Sequence, residues 1–321
     1  MPKTLFQLEP AHEAVVLELG TNNPGEIERL ATIAAPEIGI ITQIGYSHLE
    51  GLKNLEGVKA EKLSIMKGLE RGNILILNGN DPLLADVKSG VHRLMRVGFE
   101  REGNDPASDQ IWSHEKGTSF YIKRFLDETI SERMLFETLL IGRHNVVQCL
   151  MTILICRLMR MDFEMIQKAL ASFKAVPGRL ALKKIAGINF IDDTYNSNPT
   201  SFKAALDTLK EFKVREKKGV VCGDMLELGE QSELMHRQMG AHIADLLFDF
   251  VIAVGPQSAH LADEALKRGF DPPRMHRAKD SAEAGKLCRQ LAQAGDYVLV
   301  KGSRAMHMER IFDCFTTSSI H

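Results

Sequence analysis

The sequence predicts an α/β protein made of two doubly wound domains with mostly parallel sheets. Three observations carry that expectation. Short apolar, β-rich runs alternate with helical patterns through nearly all of the 321 residues. The alternation stops at Val176-Pro177-Gly178, a cluster of breaker residues, and then restarts. Most strand-like runs end in small, amide or charged residues, at the position where open α/β sheets hold their ligands.

Taken in order, Ala14–Leu19 reads as a buried strand. Pro24–Ala35 reads as a helix, with proline in its first turn and Glu26 and Glu28 near its positive end. Ile38–Ile44 is a second strand, and Asn54–Leu69 a helix with Asn54 as its N-cap. Asn73–Leu77 and Leu94–Phe99 complete a βαβ rhythm in which the sheet is covered on both faces. The rhythm changes between Gln110 and Leu140, where Ile111–Ser113, Ser119–Lys123 and Met134–Leu140 read as antiparallel strands. Helices at Asn145–Met161 and Phe163–Phe173 follow. Beyond the breaker, strands are expected at Leu182–Ile185, Ile188–Asp192, Gly219–Cys222, Phe250–Val254 and Tyr297–Lys301. Helices are expected at Ser201–Phe212, Glu233–Leu246, Ser258–Lys267, Ser281–Ala292 and Met306–Phe312. The domain boundary falls at residue 176.

Composition excludes several classes of function. Hydrophobic residues at 44% and charged residues at 26% describe a soluble globular chain. Forty basic residues against 42 acidic ones, a net charge of -2, leave no electrostatic footprint for nucleic acid or an anionic membrane. With 6% aromatic residues and one Trp, a base-stacking surface is not expected. The longest apolar stretch, Val146–Met161, is interrupted by Gln148 and Arg157 and is too short to span a bilayer. The five cysteines form no CxxC pair, and no signal-like segment is read at the start, so a cytoplasmic protein with reduced thiols is expected. No GxGxxG follows a strand-like run, which counts against a nicotinamide site.

Chemistry is sought at the strand ends. Glu18-Leu19-Gly20 through Glu26 follows the first, and Gly45-Tyr46-Ser47-His48 the second. Asp192-Asp193-Thr194-Tyr195-Asn196-Ser197-Asn198-Pro199, Gly223-Asp224-Met225-Leu226-Glu227-Leu228-Gly229 and Lys301-Gly302-Ser303-Arg304 follow three strands of the second half. Singly these are ordinary: a strand-end Glu commonly caps a helix, a lone His is commonly structural, and Asn-Pro is a turn signal. Their combination is specific. ELGTNNPGEI, GYSHLEGL, GRHNVV, PGR, DDTYNSNP, GDMLELG and VKGSRAMHME, in this order, closely resemble the Mur ligases of peptidoglycan synthesis over nearly the whole chain. GEI, YNxNP, GDMxELG and KGSR resemble the branch that joins D-alanyl-D-alanine to UDP-N-acetylmuramoyl-tripeptide.

The resemblance implies ATP-dependent amide formation through an acyl phosphate, with ATP as co-substrate and Mg²⁺ as cofactor. It implies a central ATPase domain over residues 1–175, truncated, and a Rossmann-like C-terminal domain over 176–321. By the same likeness Glu18, His48 and Lys62 hold metal, Lys62 as a carbamate. Asn145 matches the adenine-side asparagine, Arg179 an arginine that reaches the nucleotide phosphates, and Asp193 the ribose-binding aspartate. Tyr195, Asn196 and Asn198 line the site of the incoming dipeptide or acyl phosphate, and Lys301, Ser303 and Arg304 match a loop that closes over it. Whether Lys301 or Arg304 takes a substrate carboxylate stays open.

Departures from the family pattern are Gln43 and Gln148, each where Asn is usual, and Lys53-Asn54 in place of Gly-Ser. The largest is the absence of GxxxxGK[ST], the loop whose amides and lysine cradle ATP phosphates. In the family that loop precedes a stretch like Pro2–Leu8, so the likeness implies a chain lacking the UDP-binding domain and the phosphate loop, inactive alone. Two readings follow: a ligase, complemented by a chain carrying the missing loop if it is split, or a non-catalytic fragment kept as a binding module. A related ligase making polyamino acids is disfavoured by GDMLELG and YNSNP.

Overall fold

A computed structural model of the chain describes residues 2–99, 103–114, 116–126 and 128–316. The chain divides into two compact units, Met1–Ser108 with Lys123–Ser131, and Asp109–Ile122 with Glu132–His321. The expected α/β class with two mostly parallel sheets is observed, each sheet having six strands.

The first unit opens with α1 (Pro2–Leu5), α2 (Glu26–Ala34), β1 (Ile38–Ile41), α3 (Leu49–Leu52) and α4 (Leu55–Leu63). It continues with β2 (Ile74–Asn78), α5 (Pro82–Ala85) and β3 (Arg93–Phe99); β4 (Ala107–His114), β5 (Gly117–Phe125) and β6 (Glu128–Thr138) follow in the chain, their residues divided between the two units. β2 pairs in parallel with both β1 and β3, and its Leu75, Ile76 and Leu77 are fully buried. A strand covered on both faces has no polar side to alternate with, which is why this run reads as continuously apolar.

Asn54 caps α4 as expected, its side chain accepting the amide of Gly57. Two expectations need correction. Ala14–Leu19 forms no strand, and Val16 is 90% exposed. Extended apolar sequence becomes a strand only where a neighbour completes the ladder. The helix expected to reach Leu69 ends as α at Leu63 and tightens into a 3₁₀ turn over Ser64–Gly68. That turn lays Gly68 against Ala31 of α2, so closely that a Cβ on Gly68 would lie 2.3 Å from the Ala31 carbonyl carbon.

The second unit contains α6 (Arg143–Leu158) and α7 (Phe163–Ser172), then β7 (Ala181–Ile185), β8 (Ile188–Asp193), α8 (Pro199–Glu211), β9 (Lys218–Gly223) and α9 (Ser232–Leu246). β10 (Phe250–Val254), α10 (Ser258–Lys267), β11 (Met275–Ala278), α11 (Ser281–Leu291), β12 (Tyr297–Lys301) and α12 (Asp313–Thr316) complete it. The strand order is β11-β10-β9-β12-β8-β7, parallel except for the antiparallel edge strand β7. β12 therefore lies between β8 and β9, with Lys301 opposite Asp193 on one side and Cys222 on the other.

Phe190 of β8 sits in the core, its ring 5.3 Å from that of Phe312 and 5.0 Å from that of Phe315, both edge-on. Those two rings come from a segment expected to be one helix over Met306–Phe312. It is instead two 3₁₀ turns, Arg304–Met306 and Met308–Phe312, followed by α12. His307 at φ 48 interrupts the helical path, while Met308, Ile311, Phe312 and Phe315 still reach the sheet. β11 escaped the sequence reading because its four residues, Met-His-Arg-Ala, carry no apolar run.

Candidate functional site

The insertion of β12 puts three run-outs side by side at the carboxyl ends of the central strands of the second sheet: Asp192–Pro199 after β8, Lys301–Arg304 after β12 and Gly223–Gly229 after β9. The carboxyl ends of strands at such a switch in order are where α/β sheets bind ligands. The strand ends approach closely at two glycines, where a Cβ on Gly302 would lie 3.2 Å from the Gly223 Cα and 2.7 Å from Met308.

Lys301 is buried, and its ammonium donates to Asp193 Oδ2 at 2.6 Å and to the Asn196 carbonyl at 2.9 Å. Asp193 Oδ1 accepts the amide of Leu180 at 3.2 Å. Lys301 thus fastens the loop after β8 from beneath. Asp192 is equally committed: it accepts from Lys183 at 2.5 Å, from Thr194 Oγ1 at 2.7 Å and from the Gly178 amide at 3.2 Å. The Tyr195 amide donates to the Gly178 carbonyl at 3.0 Å. These bonds bring the Pro177–Arg179 turn against Tyr195, and the exposed Arg179 guanidinium lies 4.2 Å over the Tyr195 ring.

Other expected site residues have local partners. Asn196 Oδ1 accepts the next amide, that of Ser197, at 2.8 Å. Asn198 caps α8 in a reciprocal box with Ser201. Asn145 Nδ2 donates to the Ile141 carbonyl at 2.8 Å. Ser303 is buried and bonded to the two neighbouring loops, whereas Arg304 is exposed and pairs with Glu309 at 3.3 Å. His144, which the sequence reading passed over, is half-buried beside Asp193 and Lys301, and desolvation pushes its pKa down.

Glu18, His48 and Lys62 lie in the first unit. Glu18 is exposed, and half-buried His48 takes φ 54 just before α3. Lys62 donates to the Gln43 carbonyl at 2.6 Å. Burial lowers its pKa, against the pull of Asp81. Next to it, buried Glu61 was missed in the sequence and holds the turn before α2: it accepts the amides of Gly25 at 2.7 Å and Ile27 at 2.8 Å and the hydroxyl of Thr21 at 3.1 Å. Glu26 accepts the amides of Asn22 at 2.6 Å and Asn23 at 2.9 Å, and those bonds lower its pKa to about 2. The chain's own acids thereby occupy the N-terminus of α2 and make it unsuited to phosphate.

The fit to the expected ligands differs between the units. Exposed, stacked Arg179 suits phosphate oxygens. Among the described residues no group of three or more His, Cys, Asp or Glu side chains converges as a metal site. An unmodified Lys62 presents nitrogen, donating to the Gln43 carbonyl, where Mg²⁺ prefers oxygen. The set fits Mg²⁺ only with Lys62 as a carbamate, beside the oxygen of Glu18 and the nitrogen of His48.

Residues 1–156 match the Mur ligase middle domain, and residues 178–304 match the Mur ligase, glutamate ligase domain. The chain is 34% identical over 312 residues to a UDP-N-acetylmuramoyl-tripeptide–D-alanyl-D-alanine ligase of Bacillus subtilis, covering 97% of this chain and 66% of that one. To the ligase of the same name from Escherichia coli it is 33% identical over 318 residues, covering 97% and 67%. It superposes on MurF from Acinetobacter baumannii with a TM-score of 0.84 at 28% identity, covering 97% of this chain and 66% of that one. For MurF ligase from Thermotoga maritima in complex with ADP the values are 0.80 and 25%, with 94% and 66% covered. The chain thus spans about two thirds of the length of these relatives. With two matched domains in order, relatives above 30% identity and three of the shared motifs on adjacent strand ends, the chain belongs to the Mur ligase family.

Proposed function

We propose that the chain carries nucleotide- and amine-handling parts of an ATP-dependent ligase that joins D-alanyl-D-alanine to the terminal carboxylate of UDP-N-acetylmuramoyl-tripeptide. The observation that carries this reading is the meeting of DDTYNSNP, GDMLELG and KGSR at the carboxyl ends of three adjacent central strands. The names of the relatives supply the substrates.

A carboxylate is a poor electrophile. Transfer of the γ-phosphoryl of ATP to a carboxylate oxygen gives an acyl phosphate and ADP. The dipeptide amine then attacks the acyl carbon, a C–N bond forms, the C–O bond to phosphate breaks, and the amine loses a proton. Arg179, oriented by stacking on Tyr195, meets phosphate oxygens. Asn145 is assigned to adenine and Asp193 to ribose. Tyr195, Asn196 and Asn198 are assigned to the face that receives the dipeptide, bordered by Ser303 and Arg304, with Lys301 holding that face in shape.

The assignment of Glu18, His48 and Lys62 to Mg²⁺ carries one condition: Lys62 must first become an anion. Burial favours its neutral amine, the form that adds CO₂ with loss of a proton. Residues 1–175 and 176–321 are read as the middle and C-terminal domains, acting in the cytoplasm.

Isothermal titration with a non-hydrolysable ATP analogue and with D-alanyl-D-alanine tests the reading. Weak but saturable binding of the nucleotide, as the absence of GxxxxGK[ST] dictates, weakened further by Arg179→Ala by about tenfold, is expected. Binding of neither compound sinks the reading, and dipeptide binding without nucleotide binding favours the binding module.

A further inference from the structure

The loop over Gly223–Gly229 is pinned at three consecutive residues by groups from three other segments of the second unit. Asp224 Oδ1 accepts the amide of Ser258 at 2.7 Å, and its carbonyl accepts the amide of Ser303 at 3.0 Å. The amide of Met225 donates to His236 Nε2 at 3.0 Å. The amide of Leu226 donates to Ser303 Oγ at 2.8 Å, and that hydroxyl donates to the Ser197 carbonyl at 3.3 Å.

His236, on α9, is fully buried. Its Nδ1 lies 2.7 Å from the Ser232 carbonyl. A carbonyl only accepts, so Nδ1 carries the proton and Nε2 is left with the lone pair that the Met225 amide needs. Both ring nitrogens are satisfied by a neutral ring in one tautomer. A proton on Nε2 would set donor against donor.

The pinning has a visible product. Leu226 and Glu227 stay exposed between buried Met225 and buried Leu228. Glu227 takes φ 63, a left-handed conformation that a non-glycine residue keeps only when its surroundings impose it. The loop tip is therefore held up by its flanks, and His236 holds one of them.

We infer that His236 is a positioning residue for this ligase site: its Nδ1-protonated ring fixes the Met225 amide and so presents the Leu226–Glu227 tip, next to Ser197 and Ser303, to the incoming dipeptide. The identity of that ligand rests on the proposed function; the positioning does not.

A histidine that merely filled the core would be replaced by leucine without consequence for the loop. His236→Leu and His236→Gln separate the cases, because glutamine keeps an acceptor near the place of Nε2 and leucine does not. Amide exchange and D-alanyl-D-alanine titration of the whole chain are the readouts. In His236→Leu the Met225 amide is expected to exchange at least about tenfold faster with β9 still protected, and dipeptide affinity to fall by about tenfold. His236→Gln is expected to restore most of both. Unchanged exchange in His236→Leu overturns the inference, as does a His236→Gln variant as impaired as the leucine one. If the wild-type chain binds no dipeptide, the substrate reading falls and exchange alone decides the positioning. Should the leucine variant not fold, ¹⁵N NMR of wild-type His236 decides: a proton on Nδ1 supports the inference, and a proton on Nε2 overturns it.

Discussion

The side chain of Lys301 is 2% exposed, and that of Asp193, which it meets, is 12% exposed. A pair this deep is costly to break and of little net worth against an apolar replacement. Lys301→Met should therefore destabilise the second unit by about 3–5 kcal/mol, because Asp193 is left charged and unpaired. Lys301→Met with Asp193→Leu should recover most of that loss, as read from urea unfolding followed by amide exchange in β8 and β12. A double variant no more stable than the single one would show that the pair is not what matters. The sequence left open whether Lys301 or Arg304 faces a substrate carboxylate. Both follow a strand and both are cationic; what separates them is a partner 108 residues away for Lys301 and a nearby surface glutamate for Arg304. Long-range pairing of that kind leaves no local trace in sequence. His236 was illegible for a different reason: its partners at Met225 and Ser232 are backbone groups, which every residue possesses.

Elements were legible where a local rule decides them. Asn54 announced α4 by its position before a helical pattern, and the wholly buried β10 and β12 announced themselves as uninterrupted apolar runs. Legibility failed where a neighbour decides. Ala14–Leu19 has strand composition and no strand partner, and Met306–Phe312 has helical spacing and a left-handed His307. Asn198 shows both sides: YNSNP was read as site chemistry, yet the Asn198 side chain caps α8 by accepting the Ser201 amide at 2.8 Å. Asn198→Ala should cost about 1 kcal/mol of stability, and Asn198→Asp or Asn198→Ser should cost much less, in the same unfolding measurement. If aspartate and serine are as damaging as alanine, the side chain serves the ligand rather than the helix.

For the second unit as a whole, acid should be destabilising before most carboxylates titrate. Burial lowers the pKa of both His144 and His236 from the ordinary 6.5. The unfolded chain then binds more protons than the folded one once pH falls to that value, so stability is complete above about 6.5 and declines below it. The urea midpoint of β9 and β12 protection should drop between pH 7 and pH 5, and His236→Gln should shallow the slope. A midpoint that stays level or rises over that interval contradicts the burial of these rings. The strand order has a further consequence, which concerns synthesis. β8 and β9 leave the ribosome with a strand-wide gap between them, and only Tyr297–Lys301 fills it. Until that late segment emerges, two bare edges of the nascent sheet face outward and accept any extended peptide that reaches them. The assembly of this half of the protein is thus a race between the last strand and the wrong one.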